Sequence, residues 1–376
     1  MLKLLCKSLS IAALCVLVLT AAVSLAQEAA PPAGGAETPG ERNSYSAIFE
    51  EFGKRYEVQQ TRLDRLAKQE KSTPEERQAI FAEIKQIDDE YVAALSRYIE
   101  KNPNAADLEP ARYEVVLTLS RQEEKLDLAV KSADSYIELH AGSDRIKDIK
   151  FARAQCLARI ASREDDALKA LDAFIAEFGT SDEADFARTM RIRMLLFIDR
   201  TEDAQASLTA LLKLDKVRKN PEAKSFIEDQ LDDLDWIGRE LPKFALSTID
   251  NKAIGNDDFT GKPMLVFFWD SNSGVCLEEL GFVKAAYDKY HALGFAVLGI
   301  SVNESKPALE QWLKRNAPGF DNAWESRNAE GTLAKRLDVS AIPFNVLVDS
   351  KGKIYRYDVR SDELMRYAAR MIERGK

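Results

Sequence analysis

Lys262-Pro-Met-Leu-Val-Phe-Phe-Trp-Asp-Ser-Asn-Ser-Gly-Val-Cys-Leu-Glu-Glu279 is the stretch on which the fold turns. The apolar run Met264 to Trp269 has the length and aromatic content of a buried strand, and the polar, glycine-containing loop after it leads into helical spacing. Cys276, Leu280, Val283 and Tyr287 fall on one helical stripe, which turns Cys276 inward. Ser273 sits where the chain enters that helix and suits an N-cap hydroxyl. A thiol at such a helix start becomes reactive, because unpaired backbone N–H groups and the helix dipole stabilise a thiolate. The position that profits most carries serine.

The run from Phe267 to Leu280 resembles the active-site segment of TlpA/ResA-type thioredoxin-like proteins, which read Phe-Trp-Ala-x-Trp-Cys-x-x-Cys-x-x-Glu-x-Pro. Trp269, Gly274, Cys276 and Glu279 match that pattern, while Ser273 replaces the first cysteine, Asn272 the second tryptophan and Gly281 the proline. Further on, Leu337 to Ile354 resembles the segment in which a cis-proline, here Pro343, faces the active-site loop and a strand ends in an Asp349-x-x-Gly352 turn. The resemblance spans residues 241–376 and implies a thioredoxin-like α/β domain there. It also implies a site in which Cys276, Ser273 and Glu279 are the catalytic candidates. Trp269, Asn272, Gly274, Ile342 and Pro343 would line the substrate surface.

The rest of that region fits an α/β sheet. Phe244 to Gly255 reads as a hairpin with Asn251 at a turn that tolerates left-handed backbone. Gly294 to Ser301 reads as a second buried strand, and Lys306 to Asn316, Gly331 to Leu337 and Asp362 to Arg374 as helices.

Three chemistries compete for the site. Dithiol exchange needs an attacking thiolate and a resolving cysteine, and only the resolving position, Cys276, holds sulfur. A serine hydroxyl ionises far above neutral pH, and the two histidines, His140 and His291, lie outside the motif. Ser273-Gly-Val-Cys276 also resembles the Thr/Ser-x-x-Cys element of peroxiredoxins, the alternative being a thiol-dependent peroxidase or single-thiol oxidoreductase. That pattern expects proline in place of Trp269 and an arginine about where Pro343 stands. The favoured expectation is a binding or scaffold protein with weak or no dithiol turnover, holding a peptide at the cis-proline face. No cofactor or metal is expected.

The whole chain has 376 residues with 53 basic and 62 acidic side chains, a balance of −9 that gives no basic surface for nucleic acid. Residues 1–26 have the form of a secretory signal, basic start, short apolar core and small residues before Gln27, with a retained anchor as the alternative. Export to the periplasm or another extracytoplasmic space is expected, with no membrane span after cleavage. Residues 27–43, rich in Ala, Pro, Gly and Glu, read as a disordered linker. Cys6 and Cys15 leave with the signal, and Cys156 and Cys276 sit on predicted buried helix faces of different domains, which argues against a bridge.

Residues 44–240 are helical in pattern, with Ser44 to Lys101 a candidate hairpin. Tyr98, Tyr136 and Phe174 recur at a spacing of 38 residues, and a further step reaches Leu212. Phe151-Ala-Arg153 and Phe186-Ala-Arg188 start the intervening helices, with Pro110-Ala-Arg112 a looser match. Paired helices at this period resemble a tetratricopeptide-type solenoid, which implies a groove for a peptide or protein partner; an irregular helical spacer is the alternative. The expected architecture is an all-α repeat domain followed by the thioredoxin-like domain.

Overall fold

The computed structural model describes residues 44–67, 73–326 and 329–374. The leader, the linker, Cys6 and Cys15 lie outside them. The described chain divides into two compact units, residues 44–207 and 208–374. None of the described helices is long and apolar enough to cross a membrane.

The first unit is built from helices α1 (Tyr45–Ala67), α2 (Pro74–Lys101), α3 (Leu108–Ser120), α4 (Leu126–Leu139), α5 (Ile146–Arg159), α6 (Glu164–Phe178) and α7 (Asp182–Phe197), and α8 (Thr201–Leu211) carries the chain into the second. α2 starts at a reciprocal cap: the Glu76 N–H donates to Thr73 Oγ1 at 3.2 Å and the Thr73 N–H to Glu76 Oε2 at 3.0 Å. α1 and α2 form the expected hairpin and run antiparallel. Phe52 packs on Tyr91 at 4.9 Å, Tyr56 donates to Asp88 at 2.6 Å, and Gln59 donates to Glu83 at 3.1 Å.

From α3 to α7 each helix packs on the next, and α3 on α5 and α5 on α7 side by side, the nearest-neighbour arrangement of a solenoid. Tyr98, Tyr136 and Phe174 are all buried, as are Ala111, Ala152 and Ala187, although the Phe-Ala-Arg segments lie inside α5 and α7, which begin at Ile146 and Asp182, and not at the helix starts expected for them. Surface contacts repeat too: Arg153 donates to Asp134 and Arg191 to Asp172, both at 2.5 Å, and the second pair is the first moved on by 38 residues. Exposed pairs of this kind add at most about 1 kcal/mol each, so the repeated aromatic core carries the stability.

The second unit holds α9 (Asp215–Arg218), α10 (Pro221–Asp235), β1 (Ala245–Ser247), β2 (Ala253–Gly255), β3 (Met264–Trp269), α11 (Gly274–Tyr290), β4 (Ala296–Ser301), α12 (Lys306–Arg315), β5 (Asp321–Trp324), α13 (Leu333–Arg336), β6 (Phe344–Val348), β7 (Ile354–Tyr357) and α14 (Asp362–Arg374). The main sheet has the order β5-β4-β3-β6-β7, with β3, β4 and β5 parallel and β6 and β7 antiparallel to their neighbours. β1 and β2 form the expected hairpin, and Asn251 takes the left-handed backbone, φ 60°. Gly352, φ 81°, closes the turn after β6 by donating to the Asp349 carbonyl at 3.0 Å. β5 was not legible beforehand, since Asp321 and Asn322 are poor strand formers; pairing with β4 holds it in place.

All six residues of β3 are buried, so both of its faces are covered. Met264, Val266 and Phe268 join the core with Phe244, Ile254, Ile300, Leu337 and Val346, while α11 and α14 pack on each other. Both outer edges of the sheet are covered as well. The Ile249 N–H donates to the Asn322 carbonyl on β5 at 2.8 Å, and Gly238 and Arg239 exchange hydrogen bonds with Ile354 on β7, both 2.8 Å.

Gly299 on β4 shows how closely β5 sits, because a Cβ there would meet Asn322 Oδ1 at 2.1 Å and the Phe320 ring at 3.2 Å. Gly299→Ala is expected to cost about 1–3 kcal/mol, read by chemical denaturation, and adding Asn322→Ala to recover part of it. An unchanged unfolding midpoint in Gly299→Ala contradicts this packing.

Candidate functional site

β3 ends at Trp269, and the loop after it is anchored to the end of β4 by buried polar groups. The Ser271 N–H donates to Asn303 Oδ1 at 3.1 Å, Asn303 Nδ2 donates to Ser271 Oγ at 2.8 Å, and Ser301 Oγ donates to Asn303 Oδ1 at 2.6 Å. Trp324 at the end of β5 donates its indole N–H to the Asn303 carbonyl at 2.8 Å. With Ser271, Ser301 and Asn303 all buried, removing any one strands the partners' polar atoms. Asp270 then turns the chain, taking the Asn272 N–H on Oδ1 at 2.8 Å and the Ser273 N–H on its carbonyl at 3.1 Å.

Ser273 is the N-cap of α11, half-buried, in extended backbone. The expected hydroxyl cap is not formed: the Ser273 carbonyl takes the Leu277 N–H at 3.0 Å, and the side chain makes no capping bond. Cys276 is fully enclosed, 0% exposed, on a stripe with Glu279, Leu280, Val283 and Ala286. Tyr287 is only half-buried and meets the edge of Phe320 at 5.6 Å. Cys156 is also a buried free thiol, pushed up to about 11 by burial; that suits a core residue.

Glu279 is 6% exposed, and its Oε1 takes the Ser361 N–H at 2.9 Å. Burial raises its pKa, while the Ser361 hydrogen bond and the Arg360 charge act the other way.

The Ile342–Pro343 bond is cis, and both residues are half-buried. Among the described residues the Ile342 backbone N–H and C=O have no hydrogen-bond partner. Asn272 and Gly274 are exposed at the loop tip. Trp269 is a correction: it is 0% exposed, stacked with Phe267 at 6.4 Å and edge-on to Trp312 at 5.2 Å. As the last residue of a strand covered on both faces, it supports the loop from below and offers no surface to a ligand.

The residues missed in the sequence lie between β7 and α14. Arg360 Nη2 donates to the Pro343 carbonyl and its guanidinium pairs with Asp358. Asn345 on β6 fixes the same loop, taking the Asp358 N–H on its carbonyl at 2.8 Å and the Val359 N–H on Oδ1 at 3.1 Å. Asp-Val-Arg-Ser gives no periodic or motif signal, so only the fold brings it to the site. The cation that a peroxidase reading expects near Pro343 is thus supplied by Arg360, but its donors go to a carbonyl and a carboxylate.

The family described as AhpC/TSA matches residues 237–371. The thiol-disulfide oxidoreductase ResA of Bacillus thuringiensis is 27% identical over 118 residues, 31% of this chain and 66% of that protein. ResA of Bacillus subtilis is 24% identical over 119 residues, 32% of this chain and 65% of that protein. The chain therefore spans just under two thirds of these relatives' length. Among solved structures, the thioredoxin domain of a thiol-disulfide oxidoreductase from Bacteroides vulgatus is 20% identical, with a TM-score of 0.34, covering 36% of this chain and 97% of that one.

Glu279 gives a pH test with a fixed sign. A carboxyl whose pKa is higher in the folded chain keeps its proton there after the unfolded chain has lost it, so stability falls as pH rises above its ordinary 4.5. Glu279→Gln, which still accepts from Ser361, is expected to raise the thermal midpoint at pH 7 and to leave it nearly unchanged near pH 4. Equal losses at both pH values would show that the hydrogen bond, not the charge, governs this position.

Proposed function

We propose that this chain, whose C-terminal domain is thioredoxin-like and of the TlpA/ResA type, is an exported binding or scaffold protein with weak or no dithiol oxidoreductase activity. The observation that carries the reading is the pair of positions at the start of α11: serine at the N-cap and a fully enclosed thiol three residues on. Disulfide exchange starts with an exposed thiolate, and the position from which it would attack holds an alcohol. Cys276 is where a resolving sulfur belongs, and burial keeps it from serving as the attacker.

Binding needs less. The Ile342 backbone groups beside the cis bond, unpaired among the described residues, with exposed Asn272 and Gly274 on the neighbouring loop, suit an extended polypeptide held by main-chain pairing. The helical repeats offer a second docking element for a protein or peptide. Export is read from residues 1–26 alone. A single-thiol reaction, as an oxidoreductase or a peroxidase, would require Cys276 to become accessible first.

The experiment is insulin reduction by the full chain with dithiothreitol as electron donor. The wild type is expected to precipitate insulin no faster than dithiothreitol alone, while Ser273→Cys, which creates Cys-x-x-Cys at the helix start, gains turnover of at least tenfold over background, on the order of the 1.4 kcal/mol that separates decades in rate. Wild-type turnover like that of an ordinary thioredoxin overturns the proposal.

A further inference from the structure

Two residues with left-handed backbone, Asp358 at φ 51° and Ser361 at φ 54°, fall within the single loop 358–361 between β7 and α14. Aspartate tolerates that region and serine enters it less readily, so two such residues in one short loop point to surroundings that hold them there. Both halves of the candidate site hold this loop. Arg360 donates to the Pro343 carbonyl, the Ser361 N–H donates to Glu279 of α11 at 2.9 Å, and Asn345 fixes residues 358 and 359 from β6.

The Pro343 carbonyl belongs to the planar peptide unit that joins Pro343 to Phe344. Phe344 enters β6 opposite Phe268 of β3. Holding that oxygen with a charge-assisted hydrogen bond therefore fixes the plane of the peptide at the point where the cis bond meets the sheet. The neighbouring residue, Ile342, keeps its own N–H and C=O unengaged among the described residues.

We propose that Arg360 is a positioning residue: its guanidinium fixes the Pro343–Phe344 peptide and, through loop 358–361, ties it to Glu279, so that the Ile342 backbone meets an extended polypeptide in one orientation. The inference rests on the reading of Ile342–Pro343 as the ligand-facing edge, yet its test uses neither a ligand nor thiol turnover.

Hydrogen–deuterium exchange of segment 339–346 in the full chain provides that test. Arg360→Gln is expected to speed exchange there about tenfold or more, the size of effect a lost hydrogen bond to a charged group gives, with the β1–β2 hairpin unchanged. Arg360→Lys keeps one charged donor and recovers most of the protection. Asp358→Asn removes the ion pair but leaves the guanidinium on the carbonyl, and has a much smaller effect. Glu279→Leu, which removes the acceptor of the Ser361 N–H, also speeds exchange there, and combined with Arg360→Gln it gives less than the product of the single effects, since both act through one loop. No acceleration in Arg360→Gln, a Lys variant as fast as Gln, equal acceleration by Asp358→Asn, acceleration spread to the hairpin, or fully multiplicative effects would each overturn the proposal. Such a failure leaves the insulin result standing, and an insulin-reducing wild type leaves this exchange pattern standing.

Discussion

The C-terminal unit depends on a strand with no solvent-facing side. Met264 to Trp269 are all buried between two layers, so neither a register slip nor a one-residue shift can put a polar side chain on either face without cost. That constraint fixes where β3 must end, and the end of β3 fixes where Asp270 turns the chain and where α11 begins. It also fixes the partner on each side: β4 in parallel, so that Ser301 and Asn303 arrive beside Ser271, and β6 in antiparallel, so that Pro343 arrives opposite the same loop. The site is a consequence of strand order before it is a consequence of its own residues.

Polar groups then do at the strand ends what apolar packing does between the layers. The Ser271–Ser301–Asn303 group on one side and the Asn345–Arg360–Ser361–Glu279 group on the other are short-range and directional. A hydrogen bond adds only about 1 kcal/mol net, but leaving one such buried atom unpaired costs about 1–3 kcal/mol. The two groups therefore specify one loop geometry more than they add stability.

Much of this was legible in the sequence because it is carried by periodic burial. The six-residue apolar run announced β3, the 38-residue spacing of Tyr98, Tyr136 and Phe174 announced the stacked helices, and Asn251 announced its turn, while the turn at Gly352 came from the family resemblance. What escaped was whatever tertiary contact alone determines. β5 carries Asp321 and Asn322 and is a strand because β4 lies beside it. Arg360 and Ser361 are polar loop residues whose importance comes from the carbonyl and carboxylate that the fold brings to them. Trp269 was misassigned to the ligand surface because a motif match gives position along the chain but not depth. The Ser273 residue type suits an N-cap hydroxyl, yet here its side chain takes none of the first-turn N–H groups.

The sulfur at residue 276 is enclosed, 0% exposed, and the N-cap position three residues before it carries an alcohol. The most direct measurement is the rate at which iodoacetamide labels Cys276 in the native wild-type chain near neutral pH, followed by mass spectrometry and compared with the same chain in denaturant. The account predicts that the native protein stays unlabelled over a period in which the denatured protein is labelled completely. Native labelling as fast as that of the unfolded chain would contradict it.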